Sequence, residues 1–302
     1  MEKQNRAMVT EFILKGITDR PELQAPLFGL LLVIYLISAV GNLGIIILTN
    51  TDSGLQTPMY FFFFLRHLVV TDLAYSTPVG PKMLGNFVAE QNTIPYHLCA
   101  VQLTSFLLFI TCELFILSAM SYDHYVAICN LLLYTVIMSQ RVFWALVAIP
   151  YVYSIFMCLI VTLKIFILSF CGYNTIKHFF CDCIPLISLL CSNTHEVELI
   201  IRFFATFDLI SSLLVILVSH LLILIDILRM NSVESRRKAF STCGSHLTVV
   251  TVFYGTLIFM YVQPKSSHSF DTDRVSSIFY TLIIPMLNPL IYSLMNKDEK
   301  MP

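Results

Sequence analysis

Asp123 and His124 stand side by side in the run MSYDHYVAICN, Met120 to Asn130, directly after a long apolar stretch. An acid beside an imidazole invites proton transfer, metal ligation, or the lip of a membrane helix that meets a partner. Neighbouring helical residues point about 100° apart, so the two side chains do not face one another as a catalytic pair. No Gly-x-Ser-x-Gly, His-Glu-x-x-His or phosphate-cradling loop accompanies them, so the chain carries no enzyme signature. Asn42, Asp72, Glu113 and Asn288 lie deep in otherwise apolar runs. An ionised side chain at mid-bilayer costs about 2.5–3.5 kcal/mol even on a lenient scale. Two acids in one bundle would share a proton or hold a cation such as sodium, because both ionised would repel. The alternative is hydrogen-bonded packing that fixes helix register. Asp208 is a further buried acid, among Phe204, Phe207 and Leu209. Ionised and facing a cavity, it favours an amine or another strong hydrogen-bond donor as ligand; protonated, or paired with Arg202, it is structural. Arg202 is six residues away, nearly two turns, so that pairing is strained.

Elements must carry these residues. The 302 residues are 57% hydrophobic and 12% charged, with a mean hydropathy of +0.79. Soluble domains are about one-quarter charged, so this balance points to a membrane protein surrounded by lipid. The net charge of −1 and the lack of any basic or acidic block argue against nucleic acid as a partner. Seven apolar stretches reach the roughly 20 residues that a helix needs to cross a bilayer. They are Leu27–Leu48, Met59–Thr77, Cys99–Ser121, Val142–Leu163, Leu199–Ile225, Ala239–Val262 and Val275–Met295. Those holding Arg66 and Asp72, Glu113, or Arg202 and Asp208 must face one another or a wet cavity. Residues 1–26 lack the pattern of a cleavable signal peptide. The expected fold is an all-α bundle of seven transmembrane helices, one domain, spanning 27–295 with a short tail at 296–302.

Seven crossings place the termini on opposite sides. Counting Lys and Arg does not fix which is which, although Arg236, Arg237 and Lys238 form the densest basic cluster. Cysteines decide better. Cys171, Cys181, Cys183 and Cys191 crowd the segment between the fourth and fifth crossings, and Cys99 begins the third. Disulfides persist on the oxidising side, which puts that segment and the N-terminus outside and the C-terminus in the cytoplasm. Zinc is the rival reading for the four, though their spacing lacks the paired C-x2-C pattern. In PMLNPLIY, Pro285 to Tyr292, two prolines free backbone carbonyls and bend the last crossing. Asn288 between them is placed to satisfy what they leave unpaired. The absence of internal repeats speaks against a proton- or cation-coupled transporter, the competing class.

The motifs together resemble vertebrate olfactory receptors of the tetrapod-type class, which are class A G-protein-coupled receptors. They are Gly41-Asn42, LQTPMYFF at Leu55–Phe62, MSYDHYVAICN, KAFSTCGSHLTVVTVFYG at Lys238–Gly255, and PMLNPLIYSL at Pro285–Leu294. The resemblance runs from Thr10 to Asp298 and implies roles residue by residue. Asp72, Glu113 and Asn288, with Asn42 nearby, match a buried polar switch beneath the ligand pocket. Cys99 with Cys181, and Cys171 with Cys191, match two disulfides, leaving Cys183 a spare thiol. The implied odorant pocket is lined by Leu103, Phe106, Leu107, Ile110, Thr111, Phe204, Asp208, Tyr254, Leu257, Ile258, Tyr261 and Thr281. Asp123, His124, His220, Arg236, Arg237, Lys238 and Tyr292 match the face that receives the G protein.

The resemblance thus implies a plasma-membrane receptor of olfactory cilia. It would bind a small volatile odorant, signal through the stimulatory olfactory-type heterotrimeric G protein, and raise cAMP. Three departures bear on this. His124 stands where the family has Arg, and His220 follows Ser219 where the family has Tyr. Both weaken the expectation of efficient coupling, and a receptor-fold protein that does not couple is the alternative. The two histidines are also candidates to interact with each other. No Asn-x-Ser/Thr glycosylation sequon occurs, and the stretch after Asn296 is short for an amphipathic eighth helix.

Overall fold

The computed structural model describes residues 9–18, 20–51, 61–89, 92–170, 174–229, 232–262 and 270–299. Within these, the side chains at 61, 235, 238, 241–242, 245, 260–262, 270–273 and 292–299 are not described. A short strand, β1 (Glu11–Leu14), leads into α1 (Pro21–Thr51) and α2 (Phe61–Gly85). Strand β2 (Thr93–Pro95) precedes α3 (Tyr96–Cys129), the short α4 (Tyr134–Ile137) and α5 (Gln140–Ile167). Strand β3 (Thr175–Ile176) and the short α6 (Cys183–Ile187) fill the connection to α7 (His195–Arg229). Helix α8 (Val233–Val262) follows, and then α9 (Phe270–Ile278), a π-turn (Phe279–Ile283) and α10 (Ile284–Glu299) form the seventh rod.

Each expected crossing falls on one of these rods, and every rod extends beyond its apolar window. The third runs to Cys129, so the motif around Asp123 is helix rather than loop. Five of the described helices are long and apolar enough to cross a membrane. The others are α2, which carries Arg66, Asp72 and Lys82, and α8, whose apolar stretch is His246–Phe259. Exposed apolar side chains mark the lipid side, Val40 at 69% and Val152 at 67% among them. A face so apolar would not remain in water.

Helix α3 is the hub. Two-thirds (67%) of its apolar window is buried, against 22% for α1, and it packs on α2, α5, α7 and α8. Gln102 ties it to α2 by donating from Nε2 to Pro78 O at 2.8 Å. Helices α1 and α2 approach closely at Gly80, where a Cβ would lie 2.5 Å from Tyr35 Cε2. Gly80→Ala is therefore expected to cost about 1–3 kcal/mol in thermal unfolding. Tyr35→Ala in the same chain should recover most of that loss; a cycle that simply adds would show the contact to be unimportant.

The N-terminal segment is more ordered than its mixed composition suggests. Strand β1 pairs antiparallel with β2 and parallel with β3, giving the order β2-β1-β3. Its residues alternate, with Phe12 and Leu14 buried and Glu11 and Ile13 exposed, as a half-buried strand requires. Phe12 meets Phe170 edge-on at 5.1 Å between ring centroids and stacks on Tyr96 at 5.9 Å. This small sheet caps the end of the bundle that holds the Cys99–Cys181 disulfide.

Candidate functional site

A cavity opens among α3, α5, α6, α7 and α8. Helix α3 contributes Leu107, Ile110, Thr111 and Leu114, and α7 contributes Ile201, Phe204, Ala205, Asp208 and Leu209. Both sets recur at three- and four-residue spacing, which puts each on one helical face. Met157 and Val161 of α5, Leu257 of α8 and Cys183 of α6 close the wall. Six of the residues expected from the resemblance line it: Leu107, Ile110, Thr111, Phe204, Asp208 and Leu257.

The other expected pocket residues sit elsewhere. Leu103 is buried on α3, and Phe106 packs against Phe180 at 5.3 Å and Tyr280 at 5.5 Å. The Tyr254 hydroxyl donates to Leu114 O at 3.1 Å, pinning α8 to α3. Thr281 donates to Ser277 O within its own helix. Ile258 is 38% exposed, about 100° around α8 from Leu257. The Tyr261 side chain lies outside the described residues. Sequence reasoning missed Leu114, Ile201, Ala205 and Leu209, although they lie at helical spacing from Leu107, Ile110, Phe204 and Asp208.

Asp208 is the polar focus of the cavity. The Tyr153 hydroxyl of α5 donates to its Oδ1 at 2.6 Å. Arg202 pairs instead with Glu198, at 3.0 Å, so the strained Arg202–Asp208 pairing does not form. Cys183 presents sulfur to the same space. Its backbone N–H is held by Asp182 Oδ1 at 2.6 Å, capping α6. Burial, with the Asp182 charge beside it, pushes the Cys183 thiol well above its ordinary range, so a ligand meets a thiol and not a thiolate.

The buried polar residues converge below this cavity. Asn288 Nδ2 donates to Asp72 Oδ2 at 3.0 Å and Oδ1 at 3.2 Å, and to Glu113 Oε1 at 3.2 Å. The Tyr75 hydroxyl reaches Asp72 Oδ1 at 3.4 Å. Three rods are thus tied at one point. Asn42 does the work that the sequence assigned to Asn288. Pro289 has no N–H to give the carbonyl of Pro285, and Asn42 Nδ2 donates to that oxygen at 2.8 Å. The bend itself begins earlier, at the π-turn, where Ile284 N–H reaches back to Phe279 O.

At the opposite end, Asp123 is buried and accepts from the Tyr134 hydroxyl of α4 at 2.6 Å. His124, His220 and His246 gather between α3, α7 and α8. His246 lies 5.1 Å from His124, edge to face, and stacks on His220 at 5.4 Å. His246 is thus a third ring in contact with both His124 and His220. Ile223, Ile227 and Cys243 pack just beyond them. Arg236 donates to Leu228 O at 3.4 Å, and Arg237 is exposed. The side chains of Lys238 and Tyr292 lie outside the described residues.

One expected disulfide, Cys99–Cys181, joins α3 to the loop before α6. Cys191 is also disulfide-bonded, and its expected partner Cys171 lies outside the described residues. Cys181 and Cys191 are each committed to a disulfide, which disposes of a zinc site using all four loop cysteines, and Cys183 is free.

The olfactory receptor family profile matches residues 31–301. The chain belongs to the olfactory receptor family. This receptor is 72% identical over 300 residues to the human olfactory receptor 8K3, covering 99% of this chain and 95% of that one. It is 62% identical to the human olfactory receptor 8K1, covering 97% and 91%. It is 57% identical to the mouse olfactory receptor 8U3, covering 99% and 93%. In fold it is similar to the crystal structure of squid rhodopsin, with a TM-score of 0.65 at 15% identity over 89% of this chain and 77% of that one. The receptor has the seven-helix fold of class A G-protein-coupled receptors, and it is a multi-pass membrane protein and not an enzyme.

Proposed function

We propose that the receptor binds a small volatile odorant in the cavity beside Asp208 and signals through a stimulatory olfactory-type G protein to raise cAMP. The cavity carries this reading: apolar walls supply dispersion, while Asp208 and the Thr111 hydroxyl supply orientation. With the disulfide end outside the cell, the cavity opens to the odorant and the histidine cluster faces the cytoplasm. The setting is the plasma membrane of olfactory cilia. An odorant activates only by preferring the signalling arrangement of the rods; equal affinity for both arrangements shifts nothing.

Asp208 is free of Arg202 and so available to a donor. An odorant bearing an amine or hydroxyl is expected to lose about 10–100-fold in potency with Asp208→Ala, since a hydrogen bond to a charged group is worth about 1.5–3 kcal/mol. An unchanged dose response across an amine and alcohol panel would remove Asp208 from ligand recognition.

The Asp72–Glu113–Asn288 cluster also fits a small monovalent cation. Glu113 Oε2 and Asn288 Oδ1 are buried without hydrogen-bond partners, and oxygens of this kind suit sodium. When bound, the ion would balance the acids' charge; Asp72 and Glu113 would hold it.

A second reading, a receptor that binds without coupling, draws on His124 and His220. One experiment separates the two. Cells carrying a surface tag and a cAMP reporter are challenged with a mixed odorant panel, using the natural chain and a His124→Arg, His220→Tyr version. Odorant-driven cAMP in the natural chain supports the proposed function. A response confined to the double variant, at equal surface level, establishes the non-coupling reading.

A further inference from the structure

A second cavity lies at the disulfide end, between the N-terminal segment and the end of α2. It measures about 340 Å³ and shares no described lining residue with the cavity beside Asp208. Its polar side carries Lys15, Asn86 and Asn92, and Met83, Phe87 and Phe179 form an apolar wall. Among the described residues, Lys15 is the one charged group of that lining.

Asn86 stands one residue past α2 and is only 8% exposed. Neither its Nδ2 nor its Oδ1 has a hydrogen-bond partner, and Asn92 Oδ1 is likewise buried and unpaired. Buried amides are seldom left this way, because each unmatched group carries its full desolvation cost. Lys82, one turn back on α2, does not help: its Nζ donates to Thr93 O at 2.7 Å. The Asn86 backbone N–H is already spent on Lys82 O at 3.1 Å.

A primary amide offers two N–H donors and a carbonyl acceptor in a single plane. A carboxylate answers the donor half by accepting from Nδ2, and Oδ1 is left to a water in the same polar cavity. Lys15 favours an acid over a neutral amide of the same shape, since an ammonium attracts a carboxylate. Met83, Phe87 and Phe179 offer one apolar side against which a short hydrocarbon tail can lie. We propose that this cavity is a second binding site, for a short-chain carboxylic acid, with Asn86 as its anchor and Lys15 selecting the acid. The site stands whether or not the cavity beside Asp208 takes an odorant. Phe179 packs on Phe180 at 5.0 Å, and Phe180 on Phe106 of α3, so an occupant here touches the aromatic chain that leads into the bundle.

The test is saturation-transfer NMR with sodium butanoate as probe, on the full-length receptor in lipid nanodiscs. Transfer to the probe is expected in the natural chain. Its apparent Kd should rise at least about tenfold in Asn86→Leu, and also in Asn86→Asp, which keeps the side-chain shape and places a like charge against the acid. Lys15→Gln should weaken binding about threefold or more, and Leu107→Trp, which fills the other cavity, should leave it unchanged. Absence of transfer in the natural chain means that the cavity holds water only and overturns the proposal. So does binding that survives both Asn86 variants, or binding lost in Leu107→Trp alone.

Discussion

Cys99→Ser is expected to leave little folded receptor at the cell surface. The Cys99–Cys181 bridge spans 82 residues of chain. Chain-entropy reasoning assigns a loop of that length about 4–5 kcal/mol, a large part of the 5–15 kcal/mol that typically holds a protein folded. The bridge also positions the loop around Cys181. Cys181 N–H donates to Gln102 Oε1 at 2.9 Å, and the same loop sends Phe180 onto Phe106 and Cys183 into the cavity wall. Surface labelling against total receptor, with thermal unfolding in detergent, reads the loss. Cys183→Ala removes an unbridged thiol and should keep the natural surface level. If Cys99→Ser traffics equally well, the loop is held by packing and the bridge is dispensable.

Asn288→Leu is the second large loss. One amide nitrogen carries two hydrogens, and here it serves a carboxyl of α2 and a carboxyl of α3 at once. Leucine removes both bonds and leaves the Tyr75 hydroxyl as the remaining described donor beside Asp72 and Glu113. Two hydrogen bonds to carboxylate groups at about 1.5–3 kcal/mol each place the cost near 3–6 kcal/mol. Asp72→Asn and Glu113→Gln keep the shape of the cluster and should each cost less than half as much. Equal damage from all three would show that charge, and not the bridging amide, holds the rods together. The same unfolding scans test the cation. A natural chain that melts higher in sodium than in choline, with the difference gone in Glu113→Gln, supports a sodium site; identical melting in both salts leaves a purely hydrogen-bonded cluster.

Much of this architecture is legible in the sequence alone, and the reasons differ by feature. Apolar windows locate the rods because the bilayer imposes a length and excludes charge. They cut each rod short, since helices continue past the hydrocarbon; the window Cys99–Ser121 sits within Tyr96–Cys129. Periodicity along α3 finds Leu107, Ile110 and Thr111. It admits Leu103 and Phe106 on the same grounds, because only the folding of the loop decides that Phe180 covers that level of the helix. Met157, Val161 and Cys183 depend on how α5 crosses α3 and on a loop folding back, and no spacing within one segment reports either. Asp72, Glu113 and Asn288 are legible as a group, because buried polar residues in lipid must find one another. The task of Asn42 is hidden because the nearness of α1 to α10 joins residues 243 apart in the chain. The period of two in β1 is plain in Phe12 and Leu14, but four residues are too few to stand out from a mixed N-terminal stretch.

The bond from Asn42 to the carbonyl freed by Pro289 reaches further than local repair. Only 22% of the apolar window of α1 is buried, yet this helix grips the seventh rod just beyond the π-turn. It grips there a second time, because a Cβ on Gly41 would lie 3.0 Å from Pro289 Cγ, so the two backbones lie as close as glycine permits. A rod in lipid tilts to match the thickness of the hydrocarbon around it. Tilting α1 therefore pulls on the bend, and bilayer thickness becomes a lever on the same rod that supplies Asn288 to the buried acids.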